Sequence, residues 1–288
     1  MKFQDIMIPL LFTVLLVWGL QYFVINKHLP LPAGEVKSGQ SFIAPLSDQV
    51  IKPLSIEVNF SEQPVQEKIV TEIETPGALY RFSTAGASLE QITYKRVESS
   101  GKKLEINFMP SVVERDDHPF LLGLNVDAPF YYKLADKQEL PETIKLVYQA
   151  STPTVSIQKE YTIFKNTYQI DLAVTLEPHD IINEPLQARL FVPAPFMIDP
   201  HLKDTVAAIL YNESDKLQKI KPNDVKQQLW VAPTFFGAEN RYFANVLLQD
   251  PDHFIQRGYY KISNASPLTA VLEGIPVKSK GSWRLSFY

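Results

Sequence analysis

Histidine is the first residue type to consider, because it can bind a metal or act as a general acid or base near neutral pH. The sequence has five histidines, and no two have the HExxH spacing of a zinc motif: His28, His118, His179, His201 and His253. Cysteine is absent from all 288 residues, which removes disulfides, thiolate nucleophiles and Cys-ligated zinc or iron–sulfur centres. We therefore predict neither a metal site nor a cofactor.

Carboxylates beside imidazoles are the next candidates for chemistry. Asp116-Asp117-His118 and Asp199-Pro200-His201 place acid and base together, but Asp, Pro and His are also ordinary turn residues. Paired acids such as Glu213 with Asp215, or Asp250 with Asp252, indicate a glycosidase only when they share a cleft. The sequence contains no GxSxG motif, no Walker motif and no phosphate-binding glycine loop. These patterns predict turns, and we assign no catalytic residue and no enzymatic activity.

The overall charge speaks against one class of partner. The formal net charge is -4 and the sequence pI is about 5.8. Nucleic acid binding usually needs a strongly basic surface, and this composition does not supply one. We therefore predict no nucleic acid partner.

Aromatic residues are the most informative of the remaining side chains. They can line a groove or pack in a β core, and the sequence leaves both uses open. The candidates for contact with a partner lie in one stretch near the C-terminal end: Trp230, Phe235, Phe236, Tyr242 and Phe243. If the stretch is core, replacing Tyr242 or Phe243 should destabilise the domain without selectively weakening partner binding.

An apolar segment near the N-terminus predicts a membrane anchor. Residues 6–25 carry no formal charge and match the thickness of a bilayer core when helical. The segment is longer than a signal-peptide apolar region and lacks small residues at its end, so a retained anchor is favoured over a cleaved signal peptide or a buried helix. We predict a transmembrane helix within residues 1–27 whose members include Ile6, Leu10, Leu15, Trp18 and Ile25.

Two further regions follow the predicted anchor. Residues 28–75 are rich in proline, serine, glutamine and glutamate, which is typical of a flexible tether, although an apolar island within it could dock as an edge strand. Residues 76–288 show the period-two alternation of half-buried antiparallel strands, clearest at Tyr168, Ile170, Leu172, Val174 and Leu176. We predict a mainly β sandwich domain, with short helices at residues 201–210 and 234–248.

Three stretches carry a resemblance to a known family. Residues 79–97 are similar to its first hairpin, with Gly86-Ala87 where the family has a glycine pair, and residues 155–177 are similar to its long hairpin. Residues 230–248 are similar to a tryptophan-led stretch that ends in Tyr-Phe-Ala, here Tyr242-Phe243-Ala244. With the anchor and tether, this arrangement resembles the N-terminal half of YidC-type membrane protein insertases of Gram-negative bacteria.

The resemblance implies a location and a set of partners. It implies a β-supersandwich of the galactose-mutarotase type, held in the periplasm by an anchor in the bacterial inner membrane. The implied role is to aid insertion and folding of membrane proteins through contacts with the lipid bilayer, Sec translocon subunits and nascent membrane proteins. The family's five-helix insertase core has no counterpart in these residues. We therefore expect the chain to be either a piece of a longer protein or a split relative.

Two other functions stay open at the level of sequence. The implied fold also hosts sugar-active proteins, so a membrane-anchored carbohydrate-binding domain is one alternative. A scaffold for cell-envelope assembly is the other, because an anchor followed by a β domain suits that role as well. Continuous coding sequence for five more hydrophobic helices would count against the scaffold.

Overall fold

Antiparallel strands make up nearly all the regular structure in the computed structural model, which describes residues 59–64, 66–97, 103–108, 118–179, 184–195, 206–211, 217–225, 229–262 and 268–288. A 3-10 turn at Pro222–Asp224 is the one helical element in these ranges. The prediction of a mainly β chain with antiparallel sheets is confirmed. In chain order the strands are β1 Val70–Glu74, β2 Ala78–Ser83, β3 Ser88–Val97, β4 Lys103–Phe108, β5 Leu122–Leu124, β6 Lys133–Glu139, β7 Thr143–Ser151, β8 Val155–Phe164, β9 Ile170–Pro178, β10 Ala188–Pro193, β11 Ala207–Tyr211, β12 Leu217–Ile220, β13 Trp230–Val231, β14 Phe236–Glu239, β15 Ala244–Gln249, β16 Ile255–Lys261, β17 Thr269–Gly274 and β18 Gly281–Phe287.

The predicted anchor at residues 1–27 lies outside the described residues, and so do residues 28–58 of the predicted tether. Among the residues that the structure describes, none belongs to a helix with the length and apolar character needed to cross a bilayer. The chain divides into two units, Met1–Pro53 and Leu54–Tyr288, and every described residue belongs to the second.

Three sheets are formed by these strands. The first has four strands in the order β1-β2-β3-β4, and the second has five in the order β13-β16-β17-β10-β5. The third has nine strands in the order β12-β11-β14-β15-β18-β9-β8-β7-β6. Strands from distant parts of the chain are therefore neighbours, as β18 is beside β9, and the sheets depend on contacts that no local sequence pattern specifies.

The predicted long hairpin, β8 with β9, lies inside the nine-stranded sheet, between β18 and β7. Its pairing runs from Val155 opposite Pro178 to Ile163 opposite Ile170. Alternate residues of the two strands are buried in one core, as the period-two pattern predicts: Val155, Ile157, Lys159, Tyr161, Ile163, Ile170, Leu172, Val174 and Leu176. Burial of each large apolar side chain contributes about 1.5–3 kcal/mol, so this face stabilises the sheet strongly.

The folded domain begins before the predicted boundary at residue 76. Val70–Glu74 forms β1, an edge strand paired with β2, although it lies in the predicted tether. Phe60 forms a parallel bridge with Ala128 and packs edge to face on Phe130, with ring centroids 5.1 Å apart. These two stretches of the predicted tether therefore contact the domain.

Both predicted short helices are wrong where the structure describes them. Ala207–Tyr211 is strand β11, and residues 234–248 contain the hairpin of β14 and β15. Phe236, Gly237 and Ala238 are all buried, because β14 is covered on both faces. A strand covered on both faces gives a continuous apolar run, which periodicity alone cannot tell from a buried helix.

Candidate functional site

The turn between β14 and β15 presents two of the predicted aromatic residues at the surface. The Asn240 side-chain oxygen accepts hydrogen bonds from the backbone N–H groups of Tyr242 and Phe243, both at 2.8 Å. The Asn240 amide also donates to the Pro195 carbonyl oxygen at 3.2 Å, which ties the turn to the end of β10. Asparagine favours such turns because its side chain mimics a backbone turn. This buried asparagine therefore fixes where Tyr242 and Phe243 lie.

A groove opens beside this turn. Its outer part encloses about 820 Å³ and lies between the turn, the middle of β3 and the loop that joins β8 to β9. A narrower inner part of about 50 Å³ continues from it between the first and third sheets, and Val192 of the second sheet also lines it. Three tyrosines line both parts and make them continuous: Tyr94, Tyr168 and Tyr288.

The aromatic rings of the groove contact one another in series. Tyr94 stacks on Phe243 with ring centroids 4.7 Å apart and an interplanar angle of 20°. Tyr94 also meets the edge of Tyr168 at 5.0 Å, and Tyr168 meets Tyr288 at 6.3 Å. Aromatic pairs in these geometries contribute about 0.5–1.5 kcal/mol beyond the burial of area. The series therefore forms a firm apolar wall that carries phenol groups.

Charged residues are confined to the mouth of the groove. Lys95 contacts Glu74, and Lys219 donates to Glu239 at 2.8 Å. The Arg241 guanidinium lies 5.5 Å from the centre of the Tyr242 ring, within range of a cation–π contact. Burial raises the pKa of Tyr94 above its usual range, so this phenol is neutral at physiological pH. The site can thus accept an apolar group inside and hydrogen bonds or an ion pair at its rim.

The structure separates the five aromatic residues predicted to contact a partner. Tyr242 and Phe243 line the groove, and Tyr242 is 48% exposed. Phe236 is fully buried between Trp230 and Tyr260, whose ring centroids lie 5.6 Å and 4.6 Å from its own. Phe235 is half-buried and does not line the groove.

Sequence reasoning missed most of the groove. The alternation pattern identifies Tyr168 only as a strand residue, and it assigns no role to Tyr94 or Tyr288. Their separation along the chain hides their proximity, and none of them stands in a motif that marks a site. Their aromatic character is a signal in the sequence, but any β core shares it.

The part of the chain that the structure describes contains no candidate metal centre. No group of three or more metal-ligating side chains occurs there. Of the acid–imidazole pairs noted in the sequence, His118 is buried against Ser88, with 2.9 Å between its Nδ1 and the serine Oγ. The acids beside it, Asp116 and Asp117, lie outside the described residues. Burial lowers the pKa of His118 to about 4, which disfavours a role as acid or base near neutral pH.

One buried ionic cluster lies on the five-stranded sheet, away from the groove. Glu273 on β17 is fully buried and contacts the guanidinium groups of Arg189 on β10 and Arg257 on β16. The Gln187 amide donates to the same carboxylate at 2.6 Å. The register places the three charged residues opposite one another, so the cluster joins three strands. It contains no histidine and no nucleophile, and its arrangement is that of a structural ion pair.

Comparison with known proteins finds similar solved structures at low sequence identity. No protein-family model and no curated protein matches the sequence. A galactose mutarotase-like protein from Lactobacillus casei has 8% identity and a TM-score of 0.44 over 76% of this chain and 99% of its own. An Escherichia coli protein assigned by name as an aldose 1-epimerase has 9% identity and a TM-score of 0.43 over 77% of this chain and 98% of its own. At these values the likeness assigns no activity.

Proposed function

We propose that this chain is the N-terminal anchor and periplasmic domain of a membrane protein insertase in the bacterial inner membrane. In this proposal the domain is a β-supersandwich of the galactose-mutarotase type, and it aids insertion and folding by binding partners, without catalysis. The partners are the lipid bilayer, Sec translocon subunits and nascent membrane proteins. The resemblance of residues 79–97, 155–177 and 230–248 to the YidC-type family supports this assignment.

The observation that carries the binding role is the groove beside the β14–β15 turn. Tyr242 and Tyr288 are 48% and 51% exposed, and both line the groove together with the half-buried rings of Tyr94, Tyr168 and Phe243. Large exposed aromatics at the rim of an apolar groove are typical of surfaces that bind another protein. The firm turn at Asn240 fixes the position of Tyr242 before binding, which lowers the entropic cost of association.

Site-specific photo-crosslinking in native membranes tests this proposal. A photoreactive amino acid replaces Tyr242 in the complete protein, and the control probe replaces Val231, which is 68% exposed in the same predicted stretch but does not line the groove. We expect adducts with translocon subunits or with the protein's own membrane helices from position 242 and far fewer from position 231. The absence of adducts from position 242 in folded, anchored protein would contradict the proposal. Equal yields from positions 242 and 231 would show that the groove is not the binding surface.

A carbohydrate-binding domain is the second candidate, and one observation favours it. The exposed phenol of Tyr242 stands next to Glu239 and Arg241, so aromatic surface and hydrogen-bonding groups meet at one mouth. Ligand sites commonly combine an apolar lining with a few polar groups that fix orientation. Titration of the purified chain with cell-envelope oligosaccharides, followed by the NMR signals of the Tyr242 ring, tests it. Saturable shifts at millimolar concentration or below would favour this candidate over the insertase role.

A further inference from the structure

A lysine occupies a core position in the middle of β8. Lys159 is fully buried, and its neighbours on the same face of the strand, Ile157 and Tyr161, are also buried. The Lys159 ammonium donates hydrogen bonds to three backbone carbonyl oxygens, those of Gly86 at 2.9 Å, Ala87 at 2.8 Å and Phe120 at 2.5 Å. A lysine placed so deeply is rare unless its charge is stabilised, so these contacts define its role.

The three carbonyl groups share an unusual backbone conformation. Gly86, Ala87 and Phe120 have φ angles of 69°, 41° and 65°, and they are three of the five described residues with positive φ. Alanine and phenylalanine adopt this left-handed region only at an energetic cost. All three residues direct their carbonyl oxygens at one point, where Lys159 Nζ lies. The ammonium therefore compensates for two strained segments at once, the β2–β3 turn and the segment before β5.

The geometry selects the charged form of the lysine. An ammonium has three N–H donors for the three carbonyl oxygens, whereas a neutral amine has two donors and a lone pair that would face the third oxygen. The ring centres of Tyr132 and Tyr161 lie 5.5 and 5.6 Å from Nζ, which adds cation–π attraction. None of the described contacts of Lys159 is with a carboxylate, so carbonyl dipoles and ring faces stabilise the charge. Burial opposes this and lowers the pKa of Lys159 below its usual range.

The carbonyl groups of Gly86, Ala87 and Phe120 form a cage around the Lys159 ammonium. Other ionisable groups surround this cage. Burial raises the pKa of Tyr132 and Tyr161, so both phenols stay neutral, and the Tyr161 hydroxyl donates to the Ala87 carbonyl oxygen at 2.5 Å. Burial likewise raises the pKa of Tyr148 to about 12. Burial lowers the pKa of His118; among the charged groups near it, Glu90 raises this pKa, whereas Lys68 and Lys159 lower it. Because both phenols are neutral, neither supplies an anion to pair with the Lys159 ammonium.

The cage is joined directly to the inner wall of the groove. Phe120, whose carbonyl the lysine binds, lines the groove and packs against Phe287 with ring centroids 4.9 Å apart. Leu89 follows the caged turn on β3 and also lines the groove, and its N–H donates to the Pro119 carbonyl oxygen at 3.2 Å. Both segments that form this wall therefore contact the ammonium through a carbonyl oxygen.

We propose that the Lys159 ammonium is a positioning residue for the groove, and that removing its charge displaces the inner wall formed by Leu89, Pro119 and Phe120. This inference rests on the proposed function only in taking the groove as the binding surface. The groove's shape then depends on one buried proton, and alkaline conditions that remove it abolish the shape.

NMR of the full chain in detergent, with labelled lysine, phenylalanine and leucine, tests the inference without a ligand. The Lys159 Cε and Nζ shifts at pH 7 should be those of an ammonium. As the pH is raised, loss of the Lys159 proton should remove the contact between the Phe120 and Phe287 rings, by displacement of the wall or by unfolding, at the same midpoint. A neutral amine at pH 7 would overturn the inference, and so would a Phe120–Phe287 contact that persists after the proton is lost.

A matched pair of substitutions separates this role from general loss of a lysine. Lys159→Met keeps the length of the side chain and removes the charge, so the Phe120–Phe287 contact should be lost at pH 7. Lys145→Met removes a surface lysine that pairs with Glu160 on the neighbouring strand, and the contact should remain. If Lys159→Met retains the contact, the inference fails; if that variant does not fold, the shifts of the unaltered protein at pH 7 decide. The readout is intramolecular, so it does not depend on whether crosslinks to a partner form.

Discussion

His118 makes the stability of the domain depend on pH in a way that can be calculated. The Ser88 hydroxyl donates its single proton to the Ala85 carbonyl oxygen at 2.7 Å, so the His118 Nδ1–H group must donate to the Ser88 oxygen, 2.9 Å away. A second proton would go to Nε2 and place a full charge on a ring that is only 5% exposed. Burial accordingly lowers the pKa of His118 to about 4, although the nearby Glu90 opposes the shift.

The sign and size of the effect follow from linkage. The unfolded chain has a histidine pKa of about 6.5, so between pH 6.5 and 4 it binds more protons than the folded domain. The stability from the neutral ring is fully present above the unfolded pKa and is lost as the pH falls through this window. With these two pKa values, the loss at pH 4.5 is about 2.5 kcal/mol, and it reaches about 3.4 kcal/mol well below pH 4.

Urea unfolding at pH 7.5 and pH 4.5 measures the effect, with His118→Asn as the reference variant. The asparagine amide can donate to Ser88 as the imidazole does, but it does not titrate. Carboxylates titrate in both proteins, so their contribution cancels in the comparison. We expect the unaltered protein to lose about 2.5 kcal/mol more than the variant between the two pH values. An equal loss in both proteins would refute the assignment of a buried, neutral His118.

Two further substitutions test the packing. Glu273→Gln removes the carboxylate between Arg189 and Arg257 and leaves two buried or part-buried guanidinium groups uncompensated. We therefore expect the free energy of unfolding in urea to fall by about 3–5 kcal/mol. A fall of less than about 1 kcal/mol would contradict the structural role of the cluster. Gly237→Ala places a Cβ against the backbone of paired strand β15, so it should cost about 1–3 kcal/mol, whereas Gly77→Ala meets the Tyr168 ring at 3.1 Å and should cost less; the reverse order of melting temperatures would exclude this explanation.

Sequence pattern predicted the parts of the fold that local alternation controls. Ile170, Leu172 and Val174 alternate with polar residues in the sequence, and the structure buries them on one face of β9. Side chains of a strand point alternately to its two faces, so the pattern reports directly which face is covered. The same pattern cannot report which strand lies alongside, so it does not predict the pairing of β9 with β18.

The groove could not be predicted because it depends on how two sheets pack. Tyr94 belongs to the four-stranded sheet, whereas Phe243 lies in a turn of the nine-stranded sheet and Tyr168 in its β8–β9 loop. Each of these residues is of an aromatic type that is common in ordinary β structure. Even the aromatic stretch that sequence singled out is divided by the fold, because Phe236 faces the core and Tyr242 faces solvent. Only the positions of the backbones decide which aromatic residues become a surface.

Lys159 shows where sequence held a signal that pattern analysis alone would discard. The lysine interrupts the row of apolar side chains on the buried face of β8, at the middle of the strand. That face consists of Val155, Ile157, Lys159, Tyr161 and Ile163. A surface lysine would lie on the opposite face of the strand. A charged group on the buried face needs a partner inside the core that stabilises its charge. Such an interruption therefore predicts either a buried carboxylate or a set of converging carbonyl oxygens. Here the second solution holds, because the left-handed residues Gly86 and Phe120 direct their carbonyl groups inward at the one place where β8 offers a cation.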